Sequence, residues 1–133
     1  MREVFTVFEI PANTPRSNPA YTDVELEGDR LERVSYLIPT GWHGLAGFAV
    51  YHGIEQIYPE RSGEWVSGDG IYRECVLRWR MPERRLKLRL RGYNADELYP
   101  HKVFIWFTTS DLEEDKLSAI ADSIGRVLRW IGL

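Results

Sequence analysis

Catalysis and metal binding need particular side chains at particular spacings, and this chain offers few of them. Its three histidines, His43, His52 and His101, stand far apart and fall into no ligand-spacing motif. A site of His and carboxylates assembled only in three dimensions stays open. The single cysteine, Cys75, excludes an internal disulfide framework and a Cys-based zinc site. It lies in an alternating run, where a free thiol reads as a small buried hydrophobe. Ser, His and Asp all occur, yet no Gly-x-Ser-x-Gly elbow accompanies them. With 20 acids in the chain, accidental carboxylate pairs are unavoidable, so no glycosidase-type pair stands out. The stretches Gly41-Trp42-His43-Gly44 and Gly63 to Gly70 lack the strand-loop-helix context of a phosphate cradle. The expectation is no catalytic residue, no metal ligand, no cofactor and a non-enzymatic role.

Binding chemistry has better candidates. Trp42 and Trp65 sit in Gly-rich turns, and Tyr58 and Tyr99 each precede a proline. Rings on the loops of a β-sandwich can stack on sugars or anchor a protein partner. They can equally fold back to close the sandwich ends. The strongest charge feature is a basic run of Arg73, Arg78, Arg80, Arg84, Arg85, Lys87, Arg89 and Arg91. These are eight of the 17 cations, within 19 residues, opposed locally by Glu74 and Glu83. Beside Trp79 and Tyr93 such a face could bind nucleic acid. Two facts weigh against that. The net charge is −3, and the alternation of Leu86, Leu88 and Leu90 with Lys87, Arg89 and Arg91 is what any half-exposed strand shows.

The elements that must position these residues are mostly strands. At 133 residues the chain fits one domain and can bury about two-thirds of its unfolded surface. Period-two alternation runs through the first 108 residues. It gives strands over Val4 to Ile10, Val24 to Leu26, Leu31 to Leu37, Leu45 to Tyr51, Ile54 to Tyr58, Ile71 to Trp79, Leu86 to Arg91 and Val103 to Phe107. Turn chemistry separates them, with a Pro-rich extended arm over residues 11–20 and a long loop over 59–70. No helix interrupts the series, so it does not read as parallel βαβ units. The expected class is all-β: a jelly-roll-like two-sheet sandwich of about eight strands over residues 1–109.

The last 24 residues, 110–133, change period. Ser110 and Glu113 have capping-box spacing, acids crowd the start, and Arg126 and Arg129 sit near the end. Leu117, Ile120, Ile124, Val127 and Ile131 recur at 3-4-3-4 spacing, widened by Leu128. This amphipathic helix either packs on its own sandwich or serves as an oligomerisation seam. The start MREVFTVFEI has no signal-peptide pattern, and no apolar run approaches membrane-spanning length. A cytoplasmic location without a membrane partner is therefore the default. A single Gln, three Asn and abundant Arg and Glu point in the direction of thermophile composition.

Four segments carry a resemblance: Pro11-Ala12-Asn13-Thr14-Pro15, Gly41 to Pro59, Glu64 to Gly70 and Tyr93 to Phe107. In this order they resemble small proteins encoded among the structural genes of tailed bacteriophages and archaeal viruses. The similarity spans residues 3–108 and carries over no binding residues. It implies a sandwich domain that decorates or completes a virion, a symmetric homo-oligomer such as a trimer, and contact with other structural proteins. The leading expectation is thus a non-enzymatic structural protein of a virion or similar assembly, located in the virion if viral. The alternatives are a carbohydrate- or protein-binding module using the loop aromatics, and a nucleic-acid binder using the Arg73–Arg91 face.

Overall fold

The computed structural model describes residues 1–132, without the side chains of residues 113–119, 121 and 122. Eight strands and one helix follow in order: β1 (Arg2–Ile10), β2 (Ala20–Glu27), β3 (Arg30–Ile38), β4 (Ala46–His52), β5 (Glu55–Tyr58), β6 (Ile71–Arg80), β7 (Arg85–Asn94), β8 (His101–Ser110) and α1 (Leu112–Trp130). Each of the eight alternating runs in the sequence is a strand. Alternation works because a pleated strand points successive side chains to opposite faces. In β7, Leu86, Leu88 and Leu90 are buried while Lys87 stays in solvent.

The strands form two antiparallel four-stranded sheets, ordered β1-β8-β3-β6 and β2-β7-β4-β5. The pairs β1·β8, β2·β7, β3·β6 and β4·β5 are the rungs of one long antiparallel ribbon. Rolled up so that β8 meets β3 and β7 meets β4, that ribbon is a jelly roll. The core between the sheets is filled by Phe8, Ile10, Val34, Tyr36, Ile38, Phe48, Leu88, Ile105 and Phe107, among others. Tyr36 and Phe48 meet edge-on across the gap, with ring centroids 5.3 Å apart. Gly47 is required where it stands, since a Cβ there would come within 2.5 Å of the Tyr93 ring.

Two segments read as irregular are fastened to the sandwich. The arm is paired to the end of β7, where Thr14 and Asn94 exchange backbone hydrogen bonds of 2.8 and 2.9 Å. The long loop is organised by Gln56. Its amide donates to the carbonyls of Pro59, Arg61 and Glu64, and its oxygen accepts from Gly63 N. Val66 then bridges to Phe48. These bonds give otherwise unpaired backbone groups their partners.

The helix start differs from the capping-box expectation. Ser110 is the last residue of β8, and its hydroxyl donates to Glu32. Asp111 occupies the N-cap without a side-chain cap bond. The orphan N–H of Leu112 instead donates to Asp29 Oδ2 at 3.0 Å, from the β2–β3 turn. The Glu113 side chain lies outside the described residues. Around the joint, Asp111 lies 3.2 Å from Arg84 and 3.6 Å from Arg2, and Arg84 also reaches Asp29 at 3.6 Å.

Leu88 is wholly buried between the sheets, so Leu88→Ala should lower the free energy of unfolding by about 2–5 kcal/mol. Lys87→Ala, one residue away and exposed, should change it by less than about 0.5 kcal/mol. Urea denaturation of the two variants checks this contrast; equal effects would contradict the assigned inward and outward faces.

Candidate functional site

The most prominent exposed surface is the outer face of β1-β8-β3-β6. Strand register arranges it in cross-strand rows. One row is Val7, Phe104, Leu37 and Tyr72; the next is Phe5, Trp106, Ser35 and Glu74; the third is Glu3, Thr108, Arg33 and Val76. Phe5 is 52% exposed and stacks on Phe104 with centroids 6.3 Å apart. It also tilts onto Trp106 at 5.1 Å, and Tyr72 meets Trp106 edge-on at 6.1 Å. Val7, Leu37 and Val76 are exposed as well. Antiparallel sheets that face water usually alternate to polar residues on that side. Here the side opposite the core holds an apolar and aromatic patch flanked by Glu3, Arg33 and Glu74, the pattern of a contact surface. Sequence reading passed over it. The available signal was the unbroken apolar character of Val4-Phe5, Val7-Phe8 and Val103 to Phe107, which supplies both faces at once.

The second apolar surface is α1. Ile120 and Ile124 are each 55% exposed, and Val127, Leu128 and Ile131 are exposed beside them. The described part of the expected seam is therefore not packed into the sandwich; the Leu117 side chain lies outside the described residues. No described helix is long and apolar enough to cross a membrane.

The four loop aromatics part company. Trp42 is 1% exposed, in the core, with its indole N–H donating to Lys102 O at 3.0 Å. It closes the end of the sandwich and offers no stacking face. Tyr58 is half-buried, with its ring 6.2 Å from Tyr36 and its hydroxyl 2.9 Å from Cys75 Sγ. Burial pushes the Tyr58 hydroxyl well above its ordinary pKa. Trp65, also half-buried, packs edge-on against Tyr93 at 5.1 Å. Tyr99 alone is largely open, 65% exposed beside exposed Leu98.

The basic run is divided by the fold. Arg73, Arg78 and Arg80 lie on β6, an edge strand of the first sheet, whereas Arg85, Lys87, Arg89 and Arg91 lie on β7, inside the second. The outward faces of two packed sheets point in opposite directions, so these cations make no single surface. Arg89 is held by Asp23 through bonds of 2.9 and 3.3 Å and lies 4.0 Å over the Tyr21 ring. That hydrogen bond holds the Asp23 carboxyl below its ordinary pKa. Arg91 covers Tyr51 at 4.5 Å, Arg85 meets Glu27 at 3.8 Å, and Arg84 belongs to the joint of α1.

The histidines serve local structure. His43 Nδ1 is 3.9 Å from Asp69, whose carboxylate caps the N–H groups of Gly41 and His43. His52 lies 5.6 Å from the Trp79 ring. Buried His101 donates to Asp96 at 3.0 Å. Among the described residues no three His, Cys, Asp or Glu gather as a metal site would. Asp96 also accepts from Leu98 N and Tyr99 N, and these bonds with His101 lower its pKa from the ordinary 3.8. A lowered carboxyl pKa stabilises the fold above the unfolded value, and that contribution is lost as pH falls through the folded value. Asp96→Asn should thus be less stable than the parent near neutral pH, with the difference shrinking below about pH 4. Thermal melts of both proteins across that range measure it, and a pH-independent difference would contradict the assignment.

No protein-family model matches the chain, and no curated protein matches it. Among solved structures, a periplasmic inhibitor of g-type lysozyme from Aeromonas hydrophila is similar over 80% of this chain and 86% of its own, at 13% identity and TM-score 0.43. A structure of infectious bursal disease virus, Gt strain, is similar over 79% of this chain and 32% of its own, at 11% identity and TM-score 0.33. A family two carbohydrate esterase from Cellvibrio japonicus is similar over 82% of this chain and 36% of its own, at 10% identity and TM-score 0.33.

Proposed function

We propose that this protein is a non-enzymatic structural component of a virion or comparable large assembly, associating with itself and with other structural proteins. The observation that carries the reading is the exposed apolar side of α1. Ile120, Ile124, Val127, Leu128 and Ile131 stand in solvent on a helix whose base is pinned to the sandwich. Most helical stability in proteins comes from packing of an apolar side, and such a side gains stability only by burial. A body of eight interlocked strands with such a helix projecting from one end suits a building block. The viral setting rests on the resemblance of residues 3–108 to small phage and archaeal-virus structural proteins.

A binding module for carbohydrate or protein is the second reading, favoured by Leu98 and Tyr99, which Asp96 presents to solvent through two backbone bonds. A glycan array and a tryptophan-quenching titration test it. A nucleic-acid role finds less support, since several cations of the basic run already have acidic or aromatic partners.

Light scattering on the full chain and on a version ending at Ser110 tests the first reading. The full chain should run as a closed oligomer, and the shortened one at the mass of a single folded chain. A full chain that stays at 15.5 kDa would sink the self-association it depends on.

A further inference from the structure

This protein has one sheet with an apolar patch on its outer face, formed by Phe5, Val7, Phe104, Trp106, Leu37 and Tyr72, and one helix that is apolar on one side. Neither outer surface is covered among the described residues. We propose that α1 of one copy lies across the outer face of β1-β8-β3-β6 of a second copy. The inference rests on the assembly reading above and names the surfaces that meet.

Three observations choose this occupant. The first is width. At 100° per residue, Ile120, Ile124, Val127, Leu128 and Ile131 fill an arc of about 100°, the breadth with which helices face a globular layer. A two-stranded coiled coil would use a narrower seam. The second is size. From Ile120 to Ile131 the helix runs about 17 Å, and the four strands of the sheet span about 14 Å from first to last. The third is the joint. Only Asp111 separates β8 from α1, and it is extended, with φ −104° and ψ 116°. Arg84, Arg2 and the Asp29 cap hold that geometry. A helix returning over its own sheet would have to reverse direction within this one residue. The partner face is therefore that of a second copy.

Two variants of the full chain test the geometry. Phe5→Glu places a charge on the sheet face, and Ile124→Glu places one on the helix. Sedimentation velocity should show each alone as a monomer. Their mixture should form a 1:1 complex, because one supplies an intact helix and the other an intact sheet. If Phe5→Glu remains associated while Ile124→Glu falls apart, the helices pair with each other; the inference fails and the assembly reading stands. Two monomers that do not complement, or two variants that both stay associated, would also overturn it. A wild-type chain that is itself monomeric removes the inference and the assembly reading together. Circular dichroism establishes that each variant keeps its strands, and Val7→Glu, on the adjacent row of the sheet face, replaces Phe5→Glu if it does not.

Discussion

Two sheets of a sandwich lie about 10 Å apart, and the gap must be filled from both sides by side chains that arrive every second residue. Here the filling comes chiefly from β3 and β8 on one side and β4 and β7 on the other, the central strands of the two sheets. Phe48 and Tyr36 meet across it, and Leu88, Leu90, Ile105 and Phe107 complete the layer. The consequences spread outward. Tyr93 needs room, so Gly47 has no side chain. Trp42 is drawn in to seal an end. The residues displaced to the outside inherit whatever chemistry the alternation leaves them.

For the second sheet that inheritance is charge, and for the first it is aromatic. β7 turns Lys87, Arg89 and Arg91 outward, where acids and tyrosines of neighbouring strands receive them. β1 and β8 turn Phe5, Val7, Phe104 and Trp106 outward, where nothing in the same chain covers them among the described residues. The two outer faces thus differ in kind although the strands behind them obey one rule. Solvent tolerates the first face, while the second gains by excluding water.

Strand positions and the existence of the helix were legible because periodicity is a local property. Pairing was not, because it depends on residues far apart in the chain. Trp42 sits in a Gly-rich turn like a loop aromatic, yet the roll of the ribbon brings Lys102 over it. The basic run is continuous from Arg73 to Arg91, yet the β6–β7 connection crosses from one sheet to the other and splits it. Ser110 has the right spacing for a capping box. It is instead claimed by β8 and Glu32, and the cap comes from Asp29, 83 residues away. The outer aromatic face was present in the sequence as apolar pairs at both parities, but with the pairing order unknown those pairs could not be assembled into a surface.

The single-residue joint between β8 and α1 has a mechanical side. β8 is flanked by β1 and β3 and bonded to both along its length. Those hydrogen bonds run perpendicular to the strand. Tension applied through the helix is delivered along the strand axis, so it loads two ladders in shear instead of peeling one open rung by rung. A chain gripped by its C-terminal helix is held at a strand bonded on both sides, with no slack between the handle and the body.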